Sequence, residues 1–205
     1  MQTKKIIVSN SGRGFDEVLE LVDETARGEK LDRKARLHLR LLAEELISMV
    51  KAITGEFDAS FWIEEEAGEF RLSLTARTDV SASKKRDLLS VSSTGENIAA
   101  RGIMGKIRDI IENGILNYDE IESMNINNGV NYYSYGSMGL TGGDVTSQSL
   151  YVWSLSRYRD NVKDSAEDDE ETWDELEKSI MANIADEVKV GIKKDRVELI
   201  VYKRF

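Results

Sequence analysis

The stretch from Asp32 to Ile53 constrains the fold most strongly. Its apolar residues recur at the three- and four-residue spacing of an α-helix, so they form one wide face that must be buried. Asp32 can cap the first turn, and Gly55 is a suitable stop just beyond the end. The apolar face comprises Leu39, Leu42, Ala43, Leu46, Met49, Val50 and Ile53. The sequence therefore predicts a long amphipathic helix that packs against a second layer.

Two adjacent strands are the best candidates for that second layer. Residues 60–66 and 69–77 are joined by Ala67-Gly68, a short turn of the hairpin type. From Phe70 to Ala76, every second residue is apolar and the residues between them are polar. This alternation is typical of an antiparallel strand with one buried face.

The other predicted elements extend this layer and add helices. In chain order they are a strand 6–9, a helix 15–27, a helix 96–113, a strand 150–155, a helix 170–185, and a hairpin formed by 188–192 and 196–202. The chain of 205 residues suits a single domain. We expect an α+β two-layer sandwich: a mostly antiparallel sheet with helices on one face.

Residues 117–148 differ from the rest in being rich in Asn, Gly, Ser and Tyr without a clear helical period. They are predicted to form an insertion within the domain. Two interpretations stay open: a long surface insertion partly ordered by its tyrosines, or a lid or partner-binding loop that uses adaptable tyrosine, serine and glycine contacts.

The charge balance excludes several partners. The net charge is -10, from 38 acidic and 28 basic residues, which argues against nucleic acid and against anionic membranes. The densest basic cluster, Lys84-Lys85-Arg86, is interpreted as solvated surface. The start of the chain has too short an apolar run for a signal peptide, and no stretch approaches a membrane span. We expect a cytoplasmic protein.

Few residues are candidates for metal binding or nucleophilic catalysis. The chain has no cysteine and a single histidine, His38, so a transition-metal site or a Ser-His-Asp triad is disfavoured. The acidic run 164–171 lacks the glycine and the spacing of an EF-hand loop. It is interpreted as solvated.

Two segments carry a resemblance to a known family: Leu37-His38-Leu39-Arg40-Leu41-Leu42-Ala43-Glu44-Glu45-Leu46-Ile47-Ser48-Met49 and Arg101-Gly102-Ile103-Met104-Gly105-Lys106-Ile107-Arg108-Asp109-Ile110. With the element order, they resemble the histidine-kinase-like ATPase fold, nearest its anti-sigma-factor serine kinase branch. The resemblance covers residues 1–114 and the closing hairpin, but not 117–148. It implies an ATP site that works with Mg²⁺.

In that family the long helix presents a catalytic Glu and, four residues later, an Asn that holds Mg²⁺. Glu45 matches the Glu, and Met49 stands where the Asn belongs. A thioether is a poor ligand for Mg²⁺, which demands oxygen. A shift of one residue pairs Glu44 with Ser48, a weak substitute. The alternative is that both glutamates are ordinary residues of the polar helix face.

The family's other two motifs are matched only in part. Asp79, or Thr78 before it, would accept the hydrogen bond from adenine, although no glycine follows. Gly102 and Gly105 would form the phosphate-binding lid, since glycine permits close backbone approach. The structural alternatives are a strand-end turn at Asp79 and close helix packing at the two glycines.

Three hypotheses follow. The first is a regulatory or protein-binding module with a degenerate ATPase fold and no catalysis, acting through a protein partner or as a homodimer. The second is a nucleotide binder or anti-sigma-like serine kinase that uses ATP and Mg²⁺ through Glu45, Asp79, Gly102 and Gly105, with Ser48 or Met49 in the metal position. The third is an unrelated structural protein whose likeness to the family is accidental.

Overall fold

The computed structural model describes residues 1–52, 58–77, 107, 151–164, 178–193 and 196–205. The strands are β1 (Ile6–Ser9), β2 (Asp58–Glu66), β3 (Glu69–Arg77), β4 (Tyr151–Ser154), β5 (Glu187–Lys193) and β6 (Arg196–Arg204). The helices are α1 (Phe15–Gly28), α2 (Arg33–Ala52), α3 (Leu155–Asp164) and α4 (Ile180–Ile184). The predicted Gly-containing helix 96–113 and the insertion 117–148 lie outside the described residues, apart from the helical Ile107.

The strands form one six-stranded antiparallel sheet in the order β1-β2-β3-β6-β5-β4. Two hairpins, β2–β3 and β5–β6, pair through their inner members β3 and β6, so strands distant in sequence lie at the centre. The β2–β3 turn has positive φ at Ala67 (51°) and Gly68 (79°), the backbone of a type I′ hairpin. The predicted α+β class with an antiparallel sheet is confirmed.

The core lies between one face of the sheet and the helices. Alternate residues of every long strand point to this inner face, as the period of two requires. The inward residues are Ile6, Val8, Ala59, Phe61, Ile63, Phe70, Leu72, Leu74, Ala76, Val188, Val190, Val197, Leu199 and Val201, and they form one cluster with the buried faces of α1 and α2. Leu155, Met181 and Ile107 join the same cluster.

Local sequence signals explain where the two long helices begin. The Asp32 carboxylate accepts a hydrogen bond of 2.7 Å from the Ala35 N–H, so the predicted N-cap of α2 is confirmed. α1 begins after Gly14, whose left-handed backbone (φ 79°) turns the chain from β1 into the helix. In α1, Phe15, Val18 and Val22 are buried, as their helical spacing predicts.

Two features of the C-terminal half differ from the sequence-based expectation. The helix α3 follows β4 directly, because the Ser154 hydroxyl accepts the Arg157 N–H (3.4 Å) and so caps the helix at the strand's last residue. Of the predicted helix 170–185, residues 170–177 lie outside the described residues; after the helical Lys178, Ser179 has extended backbone and caps a new helix, α4, through the Ala182 N–H. None of the helices described is both long and apolar enough to cross a membrane.

The loop between β1 and α1 provides a stability test. An ideal Cβ on Gly14 would lie 2.1 Å from the Ile7 carbonyl oxygen, at a φ of +79°. We expect Gly14→Ala to lower the free energy of unfolding by about 3 kcal/mol, because left-handed strain and overpacking add. Chemical denaturation would measure the change.

Gly12→Ala is the matched control. Gly12 also has positive φ (+92°), but no atom lies within 4 Å of the position that its Cβ would take. It should therefore lose only the backbone term of about 1–2 kcal/mol. Equal losses in the two variants would contradict the close approach of Gly14 to β1.

Candidate functional site

The C-terminal half of α2 carries the predicted catalytic and metal-binding positions. Glu45 and Met49 are one helical turn apart, so they share one side of the helix. Met49 is only 4% exposed and belongs to the hydrophobic core, whereas Glu45 is half-buried beside it. The side of α2 that would face a nucleotide thus combines a carboxylate with a thioether that is turned into the core.

Glu45 is in an unfavourable environment for a charge. Burial raises the pKa of its carboxyl, and the neighbouring Glu44 carboxylate raises it further. Within the described part of the chain, Glu45 forms no hydrogen bond or ion pair. A half-buried carboxyl with a raised pKa is a candidate functional position.

Glu44, by contrast, belongs to an ion-pair network. The Arg40 guanidinium lies 2.9 Å from Glu44 and 2.7 Å from Asp23, so it connects α2 to α1. All three side chains are partly exposed, and the network contributes modestly to stability. Ser48, the residue that would accompany Glu44 in a shifted metal site, is exposed. The role of this pair as a metal site stays a prediction.

The other predicted site residues, Asp79, Gly102 and Gly105, lie outside the described residues, as does Thr78. The described strands nevertheless fix where one of these segments begins. Arg77, the last residue of β3, pairs with Asp58, the first residue of β2. The connection 53–57 between α2 and β2 spans at most about 20 Å. The segment that contains Asp79 therefore leaves the sheet at the end to which the chain returns from α2.

Metal binding has no further support in the described ranges. Within them, no three histidine, aspartate or glutamate side chains are grouped so that they could hold a metal ion. Of the candidate pair Glu44 and Glu45, Glu44 is engaged by Arg40.

The second face of the sheet, opposite the core, has a different character. We call this surface, formed by Ile7, Trp62, Ser73, Ile200 and Tyr202, the outer face. None of these residues belongs to the hydrophobic cluster. Ile7 is 48% exposed, and Trp62, Ile200 and Tyr202 are half-buried. The outer face therefore presents large apolar side chains that the core does not cover.

Strand register sets the geometry of this outer face. Trp62, Ser73 and Ile200 are direct cross-strand neighbours, so a small residue separates two large ones. Cations stand over the rings: the Lys5 Nζ is 4.3 Å from the Trp62 ring centroid, and the Lys189 Nζ is 5.3 Å from that of Tyr202. Aromatic rings with apolar bodies and cationic neighbours are common in protein interfaces. The sequence alone leaves Trp62 equally suited to a core or an interface, and its place in an alternating strand was the available signal.

A cluster near the end of β6 is structural. Burial alone would raise the pKa of Asp186, but hydrogen bonds from Lys203 and the Arg204 N–H, with the charges of Lys203 and Arg159, leave that pKa lowered. The Lys203 Nζ lies 2.8 Å from the Asp186 carboxylate. Arg159 of α3 donates to the Ala182 carbonyl at the end of α4, where a cation is favoured. These contacts attach α3 and α4 to the sheet.

The raised pKa of Glu45 predicts how stability depends on pH. The Glu45 carboxyl binds its proton more tightly in the folded protein than in the unfolded chain. Below the ordinary pKa the carboxyl is neutral in both states, so it does not affect stability. As pH rises through the raised pKa, the carboxyl becomes charged in the folded protein and destabilises it. We expect Glu45→Gln to raise the free energy of unfolding at neutral pH by less than about 1 kcal/mol, because solvent screens part of the carboxyl. Near pH 4, about the ordinary carboxyl pKa, the gain should shrink.

Urea unfolding of both proteins across this pH range would measure the effect. Glu20→Gln is the control, because Glu20 is exposed on α1 and carries the same charge. A Glu45→Gln variant that is less stable than the parent at neutral pH would show that the carboxylate is favourably solvated or paired.

Comparison with known proteins gave no match. No family model matches the chain, and no significant match was found among curated proteins or solved structures. The resemblance to the histidine-kinase-like ATPases therefore depends on the order of elements and on the few residues described above.

Proposed function

We propose that this chain is a regulatory, protein-binding module with a degenerate histidine-kinase-like ATPase fold and without catalysis. The element order, the antiparallel sheet and the helices on one face support this fold. In this proposal the long helix α2 corresponds to the family's metal-binding helix, with Glu45 and Met49 at the two key positions.

Burial of Met49 carries the proposal. At 4% exposure its thioether fills space in the core, so the position contributes packing instead of an oxygen ligand for Mg²⁺. Mg²⁺ bridges and neutralises the nucleotide phosphates in such enzymes, and the loss of its ligand reduces turnover most. Because this position serves packing, the chain retains the architecture of the family but lacks the ligand that phosphoryl transfer requires.

The outer face of the sheet supports binding to another protein. Exposed Ile7 and half-buried Trp62, Ile200 and Tyr202 lie on adjacent strands and present apolar and aromatic surface next to cations. A surface of this type fits a protein partner or a second copy of the chain.

One observation favours the alternative, an ATP-binding protein or an anti-sigma-like serine kinase with an unusual metal site. Glu45 keeps a half-buried carboxyl with a raised pKa and, within the described part of the chain, no partner. This is the position at which the family places its catalytic carboxylate. Binding of ATP without hydrolysis also belongs to this alternative, because adenine and phosphate recognition use groups other than the Mg²⁺ ligand.

Thermal unfolding with ATP and Mg²⁺ separates the two functions. A ligand at 100 times its Kd adds about 2.7 kcal/mol of stability. For a non-catalytic protein-binding module we expect no change in Tm at millimolar ATP. A rise in Tm that Glu45→Gln removes, or metal-dependent hydrolysis of ATP, would support the alternative and contradict the proposal.

Substitution of Met49 tests directly whether this position belongs to the hydrophobic core. Met49→Asn restores the family's residue but buries an amide in the core, so we expect a loss of about 2–4 kcal/mol in unfolding free energy and no gain of ATP binding. Met49→Leu, a volume-conserving control, should cost less than about 1.5 kcal/mol. If Met49→Asn is as stable as the parent and binds ATP with Mg²⁺, then this position lines a polar site.

A further inference from the structure

The start of α2 carries an unusual concentration of positive charge. Between Arg27 and Arg40 the sequence holds Arg27, Lys30, Arg33, Lys34, Arg36 and Arg40, against the acids Glu29 and Asp32. The whole chain has a net charge of -10, so the acidic excess outside this segment is larger still. The segment is a local basic surface on an acidic protein.

Helical geometry collects these charges on one exposed surface. Arg33, Arg36 and Leu37 are spaced at i, i+3 and i+4, so they form one side of α2. Arg33, Lys34 and Arg36 are exposed, and Leu37, with 54% exposure, is an apolar residue among them. Lys30 is also exposed, in the turn that precedes the helix. We call the surface formed by Lys30, Arg33, Lys34, Arg36 and Leu37 the basic stripe.

The charges of the basic stripe are not neutralised within the described part of the chain. There, the side chains of Lys30, Arg33, Lys34 and Arg36 form no ion pair or hydrogen bond. Several cations elsewhere are paired: Arg13 with Asp58, Arg40 with Asp23 and Glu44, Lys203 with Asp186, and Arg71 and Arg204 with Glu69. Lys4, Lys163 and Arg196 are also exposed without an ion pair among the described residues, but they lie far apart in the sequence. What distinguishes the stripe is the concentration of four unpaired cations within seven consecutive residues, 30–36.

The position of the stripe makes its charge unfavourable for the helix. The N-terminal end of an α-helix is its positive end and favours acidic residues. The first turn of α2 contains Arg33 and Lys34 and no carboxylate, whereas the first turn of α1 contains Asp16 and Glu17. The Asp32 N-cap is the carboxylate described at this end of α2, so the cations that follow it oppose the helix dipole, and a further anion bound there would relieve their mutual repulsion.

We propose that the basic stripe docks an acidic segment of a partner protein, whose carboxylates pair with Arg33 and Arg36 and whose apolar residue covers Leu37. The exposed leucine favours a protein segment, because a purely polyanionic partner has nothing to place there. The acidic remainder of the surface would repel extended polyanions such as nucleic acid or an anionic bilayer. This inference rests on the proposed protein-binding function and names the chemistry of one partner.

A synthetic peptide probe tests the stripe. The probe is a fluorescently labelled peptide with glutamates at helical spacing around one leucine, and its control has glutamines in their place. We expect the acidic peptide to bind the full chain at low salt, and Arg33→Glu with Arg36→Glu to weaken its Kd by at least about tenfold. Leu37→Ser should weaken binding without changing its salt dependence.

The matched control reverses two exposed cations outside the stripe, Lys4→Glu with Lys163→Glu, for the same change in net charge. It should bind the peptide within about twofold of the parent. The stripe variant should also have a higher Tm than the parent, because glutamate suits the first turn; this readout separates lost binding from lost folding.

Three results would overturn the proposal: binding unaffected by the stripe variant, equal loss of binding in both charge-reversed proteins, or binding to phosphatidylserine-containing vesicles without binding to the peptide. The ATP experiment remains independent. If the protein binds the peptide and also binds ATP with Mg²⁺, the proposed function is contradicted and the stripe proposal stands; if it binds neither, the stripe proposal alone is contradicted.

Discussion

The burial of one side of α2 against one face of the antiparallel sheet is the constraint on which the rest of the structure depends. Every apolar residue that faces inward from the strands contacts a single cluster, to which α1, α3 and α4 also contribute. A two-layer structure of this kind has only one core. Within the described part of the chain, the outer face of the sheet and the solvent side of α2 take no part in this core.

The same packing explains why α2 has three sides with different chemistry. One side enters the core and takes Met49 with it. A second side holds Glu45 at the boundary, where partial burial disfavours its charge. The third side, toward the start of the helix, carries Arg33 and Arg36 into solvent. The rotation of the helix about its axis, which its leucines fix, decides which residue serves packing and which remains free for chemistry.

Periodic patterns in the sequence predicted much of this fold. The alternation in β3, the Ala67-Gly68 turn and the Asp32 cap were visible because each depends on local geometry. Helix α3 was missed because it begins without a loop: Ser154 ends a strand and caps the helix at once. The break at Ser179 was missed because serine also occurs inside helices, and only its extended backbone reveals the cap.

The candidate site was less predictable, for a different reason. The spacing of Glu45 and Met49 follows from the sequence, but their burial depends on how α2 is rotated against its neighbours. The pairing of Glu44 with Arg40 and Asp23 likewise needs two helices in place. The basic stripe was not singled out from the sequence, where Lys84-Lys85-Arg86 is the densest basic cluster, because its exposure on one side of α2 appears only in the folded chain.

The central pairing of β3 with β6 also affects how the chain reaches its native state. Glu69 and Arg204 are ion-paired although 135 positions separate them, and the two strands pair along their full length. Closing so large a loop has a high entropic cost before any contact compensates it, so folding of such a topology is slow. During synthesis on the ribosome, the free edge of β3 in the β2–β3 hairpin stays unpaired until β6 has been synthesised. A nascent chain in that condition is a natural client for molecular chaperones.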